Sequence, residues 1–172
     1  MIHPQYWSLH SIYKSLENKF YRFVYKVTKD SGMHTEDIKC YTSLDVKGKV
    51  VLDIGAYNGD SAKLFLDLGA KHVICVEAVE ECAKQINLPN TTVLNEPFKL
   101  EHLDMDYDCI KMDIEGWEAL VLEYYKPLKP MALEVHSGYL MTRFLEKGFH
   151  VFSTRKGRKY ERSVSTWLMT NF

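Results

Sequence analysis

The stretch Val50–Ser61, reading Val-Val-Leu-Asp-Ile-Gly-Ala-Tyr-Asn-Gly-Asp-Ser, constrains the chain most. A short apolar run meets Asp53, a glycine-bearing turn runs from Gly55 to Gly59, and Asp60 and Ser61 open a helical pattern. This is the local form of a buried strand that presents a nucleotide-type ligand to a helix start. Gly55 and Gly59 allow a tight turn and a close backbone approach. A dinucleotide fingerprint requires Gly-x-Gly-x-x-Gly, and a phosphate loop requires Gly-Lys-Ser/Thr. Neither is present, since position 57 is tyrosine. The competing reading is an ordinary strand-turn-helix.

Carboxylates decide what such a turn could hold. Asp53 and Asp60 flank it, and two negative charges repel a pyrophosphate while favouring a cationic ligand. S-adenosylmethionine, which carries an ammonium and a sulfonium, meets that requirement. The next strand, His72–Glu77, is apolar throughout and ends in a carboxylate. An acid at this place in a doubly wound sheet hydrogen-bonds ribose hydroxyls, so Glu77 is the expected ribose ligand, with Ala78 beside it. A short helix over Val79–Ile86 leads to a third strand, Thr91–Leu94. Asn95 and Glu96 follow it and are expected beside an adenine edge; a strand-end Asn also serves turns for its own sake.

The second informative stretch is Tyr107–Glu118. A strand over Cys109–Met112 ends in Asp113, with Glu115 and Gly116 just beyond and a helix over Trp117–Tyr125. Ligands bind at the carboxyl ends of strands in open α/β sheets. Asp113 and Glu115 are therefore candidates for facing the methionine end of the cofactor and a substrate hydroxyl or amine. Helix capping accounts for one of them. Met131–His136 forms the fifth strand, with Glu134 and His136 on one face. His136 is a candidate general base; a hydrogen-bonded structural histidine is the alternative. A helix over Tyr139–Glu146 precedes strands Phe149–Thr154 and Ser165–Asn171. These form a terminal antiparallel hairpin joined by the basic run Arg155–Arg162. That run reads as a soluble tip or as a contact for a phosphorylated or nucleic-acid partner.

Tyr6, Leu9, Tyr13, Leu16, Phe20, Phe23 and Val27 recur at spacings of three and four, which predicts an amphipathic N-terminal helix within residues 1–32. It is expected to pack on the core of a single domain that otherwise spans 33–172; a substrate lid, a homodimer seam and a membrane-surface helix are the sharper alternatives. Between them, Ile38–Thr42 reads as a short strand or as part of the connection. Residues 1–30 carry five Lys/Arg against two acids and residues 143–162 seven against two, so the centre is acidic. That pattern suits a cationic cofactor beneath an anionic substrate, or reflects only uneven surface charge. No apolar run is long enough to span a membrane and no secretory stretch opens the chain, so a cytoplasmic location is expected. Cys40, Cys75, Cys82 and Cys109 lack metal-ligand spacing and read as reduced thiols. No spacing demands a metal.

The alternation of five strands with helices before a closing hairpin resembles the element order of class I S-adenosylmethionine-dependent methyltransferases. Val-Leu-Asp-Ile-Gly-Ala-Tyr-Asn-Gly-Asp-Ser is similar to the cofactor loop of the FkbM-type family. Ile-Lys-Met-Asp-Ile-Glu-Gly-Trp-Glu resembles its Lys-x-Asp-x-Glu-Gly-x-Glu signature, and Leu-Glu-Val-His its following strand. The resemblance covers about residues 48–138. It implies a Rossmann-like, mostly parallel α/β sheet flanked by helices. Asp53, Gly55 and Gly59, with Ala56, Tyr57, Asn58, Asp60 and Ser61 of the same loop, would shape the methionine pocket. Glu77 would hold the ribose, and Asp113 with Glu115 would border the reacting methyl. It further implies methylation of a hydroxyl oxygen on a sugar or other small molecule, with S-adenosylhomocysteine as product. The chain departs from the family in its compressed stretch between Glu77 and Tyr107 and in having Ala78 where proline is usual. An RNA methyltransferase and a non-catalytic nucleoside-binding module are the rival readings.

Overall fold

The computed structural model describes residues 33–114, 117–124, 129–156 and 165–172. The expected N-terminal helix, Glu115 and residues 157–164 of the basic connection lie outside the described residues. Helix α1 (Thr35–Tyr41) comes first, followed by β1 (Val50–Ile54), α2 (Asp60–Asp67), β2 (His72–Val76) and the short α3 (Glu80–Ala83). Then come β3 (Thr91–Leu94), a 3-10 turn (Leu100–Asp104), β4 (Cys109–Met112), α4 (Glu118–Tyr124), β5 (Met131–Val135), α5 (Gly138–Glu146), β6 (His150–Lys156) and β7 (Ser165–Thr170).

The strands form one sheet in the order β3-β2-β1-β4-β5-β7-β6. The first five run parallel, and β7 joins antiparallel to both β5 and β6. Parallel strands need helical crossovers that cover both faces, which is why β1, β2, β4 and β5 are nearly continuous apolar runs. Successive side chains alternate faces. Val51, Cys75, Cys109 and Ala132 lie on one face against Ile38, Tyr41, Ala62 and Phe65 of α1 and α2. Leu52, Ile110, Met112 and Leu133 lie on the other against Val121 of α4 and Leu140 and Phe144 of α5. The Phe144 and Phe149 rings meet edge-on at 5.0 Å on that second side. Among the described residues, no helix is long and apolar enough to cross a membrane.

Arg155 and Lys156, expected in the basic connection, instead extend β6 opposite Thr166 and Ser165, and two helical segments also differ from the sequence reading. Ile38–Thr42 belongs mostly to α1, whose start is tied down by Asp37 Oδ2 accepting from the His34 backbone N–H at 3.1 Å. The helix expected over Val79–Ile86 is confined to Glu80–Ala83, because the backbone tightens into i+3 turns at Gln85 and Ile86.

Three cysteines are buried in the α1–α2 side of the core. Burial pushes the Cys40 thiol up to about 12 and the Cys109 thiol up to about 11, and raises Cys75 as well. Their protonated state is thus favoured by folding. The associated stability is complete below the ordinary thiol value of 9.0 and is lost as pH climbs through the folded-state values. Urea melts should therefore weaken steadily as pH rises from 9 towards 11. A profile flat across that window would contradict buried thiols. The turn after β1 gives a sharper test. A Cβ on Gly55 (φ +77°) would stand 1.8 Å from the Asp113 carbonyl oxygen, whereas one on Gly48 (φ +73°) would meet nothing within 4 Å. Gly48→Ala should cost about 1–2 kcal/mol from left-handed backbone alone. Gly55→Ala should cost more than about 4 kcal/mol or prevent folding. Equal losses in thermal melts would refute the close approach.

Candidate functional site

Register places the charged residues of the site before any ligand is considered. Asp53 of β1 pairs directly with Lys111 of β4. One step past the Met112–Leu133 pair, Asp113 comes alongside Glu134 of β5. Alternation puts Asp53, Lys111, Asp113, Glu134 and His136 on the sheet face covered by α1 and α2. They accumulate at the carboxyl ends of three neighbouring strands.

Lys111 is almost completely buried. Its Nζ stands 3.0 Å from Asp53 Oδ1 and donates to the Gly55 carbonyl oxygen at 2.7 Å. Burial alone would push this lysine down; Asp53, then Asp113, outweigh it and hold its pKa above the ordinary 10.5. Beside this ion pair, Asp53 Oδ2 accepts a hydrogen bond from Ser61 Oγ at 2.6 Å, in the first turn of α2. The strand, the turn and the helix are therefore fastened at one carboxylate. Asp53 itself has no exposed surface and does not line the neighbouring cavity. Its place is behind the loop rather than at the cavity surface.

The loop takes its path from backbone bonds. Gly55 and Ala56 N–H groups both donate to the Val76 carbonyl, at 2.9 and 3.2 Å, and Gly59 N–H donates to Ala56 at 2.9 Å. Tyr57 adopts φ 49°, a left-handed conformation uncommon outside glycine. That geometry turns its N–H onto Glu77 Oε2 at 2.8 Å, while Val79 N–H donates to Oε1 at 2.8 Å. Each oxygen keeps lone-pair capacity for a further donor. Asn95 does not line the cavity; its side-chain amide donates to the Glu77 carbonyl at 2.9 Å and thereby shapes the same loop. Glu96 does line it, and hydrogen bonds from Lys99 and then His102 hold its carboxyl below the ordinary carboxylate pKa.

A cavity of about 690 Å³ opens over these strand ends. Of the residues anticipated as cofactor ligands, Gly55, Ala56, Tyr57, Asn58, Asp60, Ser61, Glu77, Ala78, Glu96 and Asp113 line it. Gly59 lies just outside, as the left-handed residue that opens α2. His136 also lies outside the lining, behind Asp113, with its Nε2 3.8 Å from Asp113 Oδ1. Met33, His34, Asp37 and Tyr41 form a wall that the sequence reading did not anticipate. Its signal was the spacing of Ile38, Tyr41 and Leu44 behind the acidic pair Glu36 and Asp37. Lys111 and Trp117 also line the cavity and were assigned no role from sequence. A lysine inside an otherwise apolar buried strand was the available sign of the first. Tyr57 and Trp117 are both more than half exposed and set two aromatic faces at the opening.

The lining carries Asp37, Asp60, Glu77, Glu96 and Asp113 against Lys111, whose charge is already engaged by Asp53. Such a wall fits a cationic ligand. The residues also fit a nucleoside, through the Glu77 carboxylate fixed by two amides and the apolar pair Pro97 and Phe98 farther along.

No family model matches the chain, and no curated protein matches it in sequence. Solved structures do. A candidate RNA methyltransferase from Pyrococcus horikoshii is 25% identical, with a TM-score of 0.58, over 78% of this chain and 80% of that one. The ribosomal protein L11 methylase of Lactobacillus delbrueckii subsp. bulgaricus is 15% identical, with a TM-score of 0.58, over 79% and 76%. The tRNA (m1A58) methyltransferase of Aquifex aeolicus is 16% identical, with a TM-score of 0.57, over 80% and 68%. The chain has the Rossmann-like class I methyltransferase fold, a mostly parallel sheet closed by an antiparallel pair.

The buried pair yields a test of how the site is held. Lys111→Met strands the Asp53 carboxylate in the core and should destabilise by about 3–5 kcal/mol. Adding Asp53→Asn, which still accepts from Ser61, should restore part of that loss in urea melts. Additive losses in the double variant would contradict a coupled pair.

Proposed function

We propose that the chain is an S-adenosylmethionine-dependent methyltransferase of the FkbM type, acting on a hydroxyl oxygen of a small molecule or sugar. The observation that carries this reading is the Glu77 carboxylate, gripped by the Tyr57 and Val79 amides at the edge of the acid-lined cavity. A carboxylate so fixed accepts from vicinal ribose hydroxyls without reorganising. The Gly55–Ser61 loop and Asp113 would surround the methionine portion, and Asp37 and Asp60 add to the negative wall. The cofactor supplies a methyl group activated by its sulfonium. The protein contributes mainly alignment, holding the acceptor in line with that bond. Asp113, which lines the cavity and is part-exposed, would accept the hydroxyl proton; Glu115 and His136 are the other candidates for that duty.

The names of the neighbours keep one rival in view, since one of those compared is a candidate RNA methyltransferase and another a tRNA methyltransferase. Steeply salt-dependent binding to RNA would favour that reading. A non-catalytic module would bind the cofactor without turnover on any acceptor.

Calorimetry should show binding of both S-adenosylmethionine and S-adenosylhomocysteine. Glu77→Ala should weaken each by about 1–3 kcal/mol, the scale of a lost charged hydrogen bond. Transfer of a labelled methyl group to a hydroxyl-bearing small molecule, and not to RNA, completes the test. A folded protein that binds neither nucleoside would overturn the reading.

A further inference from the structure

Behind the cavity wall, His136 is surrounded by carboxylates on both of its ring nitrogens. Its Nδ1 lies 3.2 Å from Glu118 Oε1, on α4. Its Nε2 lies 3.3 Å from Glu134 Oε1 and 3.8 Å from Asp113 Oδ1. A neutral imidazole has one N–H to give. With that proton donated to Glu118, the Nε2 lone pair faces two carboxylates, and like charge gathers at one point. Glu118 and Glu134 are withdrawn from solvent. A second observation points the same way: Glu118 is wholly buried, and its Oε2 has no hydrogen-bond partner among the described residues.

We propose that Asp113, Glu134 and His136 form a binding site for a divalent transition-metal ion, with Glu118 orienting the histidine from behind. One donor atom from each of the three ligands lies within 4.8 Å of the other two. With metal–ligand bonds of about 2.1 Å, neighbouring donors of an octahedron stand about 3 Å apart and opposite ones about 4.2 Å. The two separations from His136 Nε2, 3.3 Å to Glu134 and 3.8 Å to Asp113, fall within that range. A carboxylate–histidine–metal relay is the usual way to fix a ligand's tautomer, and Glu118 Oε1 occupies the relay position. Two carboxylate oxygens and one imidazole suit manganese(II)-like ions and leave coordination positions open. Asp113 is the ligand that lines the cavity, so the open positions face the space where an acceptor oxygen would lie. Metal binding stands on this geometry alone; use of the ion to hold the acceptor rests on the methyltransferase reading.

The test uses the full chain, stripped with chelator and titrated with manganese(II) in the absence of any nucleoside. Free-ion paramagnetic resonance should show one equivalent bound. His136→Gln and Asp113→Asn, at the less buried ligands, should each weaken binding about 10-fold or more, and Glu118→Gln about 10–100-fold, the range for second-layer partners. Thermal melts of each variant separate ligand loss from unfolding. No uptake by folded wild-type protein would overturn the proposal. Uptake indifferent to His136→Gln would overturn it too, assigning the ion to rim carboxylates. Metal bound without nucleoside binding would remove the methyltransferase reading and keep the site; nucleoside bound without metal uptake would do the reverse.

Discussion

A buried ammonium holds this site together. Lys111 reaches from the middle of β4 to the Asp53 carboxylate on β1 and to the Gly55 carbonyl at the start of the turn. Buried ion pairs contribute little net stability against a well-packed apolar alternative. What this one supplies is geometry. It ties two central strands to the loop between them, and Ser61 extends the same knot into α2. The approach is so close that position 55 has no room for a side chain, because the Asp113 carbonyl occupies it.

From that knot the chain's own backbone does the next part of the work. The turn is short and partly left-handed, and the Tyr57 amide donates to Glu77. A second amide arrives from the far side at Val79. The carboxylate is thereby fixed before a ligand enters, which is the condition for binding without a reorganisation penalty. Acids at the tips of β1, β2 and β4 thus have different duties. Asp53 is structural and hidden, Glu77 is held at the cavity edge, and Asp113 divides its surroundings between the cavity and the cluster around His136.

Much of this was legible in the residues. Apolar runs at Val50–Ile54, His72–Val76, Cys109–Met112 and Met131–Val135, short and bounded by turn residues, read as strands covered on both faces. The glycines marked the turn, and acids just past strand ends lie at the end of the sheet over which the cavity opens. Other features depend on distances that linear spacing does not encode. Tyr41 and Asp37 line the cavity because α1 packs on the sheet face that carries Val51 and Cys109, a tertiary placement that the helical spacing of Ile38, Tyr41 and Leu44 does not encode. The sequence does not show that Asp53, a candidate cofactor residue, is buried against Lys111 and outside the cavity lining. Glu118 and His136 are far apart in sequence, and only the adjacency of α4 to the end of β5 brings their side chains together. A scan for ligand spacing along the chain passes over such a group.

A crystal structure of the protein with S-adenosylhomocysteine tests the central claim most directly, because it locates every part of the nucleoside at once. The account predicts ribose hydroxyls on the Glu77 carboxylate and the amino-acid end against the Gly55–Ser61 loop, with the sulfur turned towards Asp113. A nucleoside seated elsewhere, or one whose ribose avoids Glu77, would contradict it.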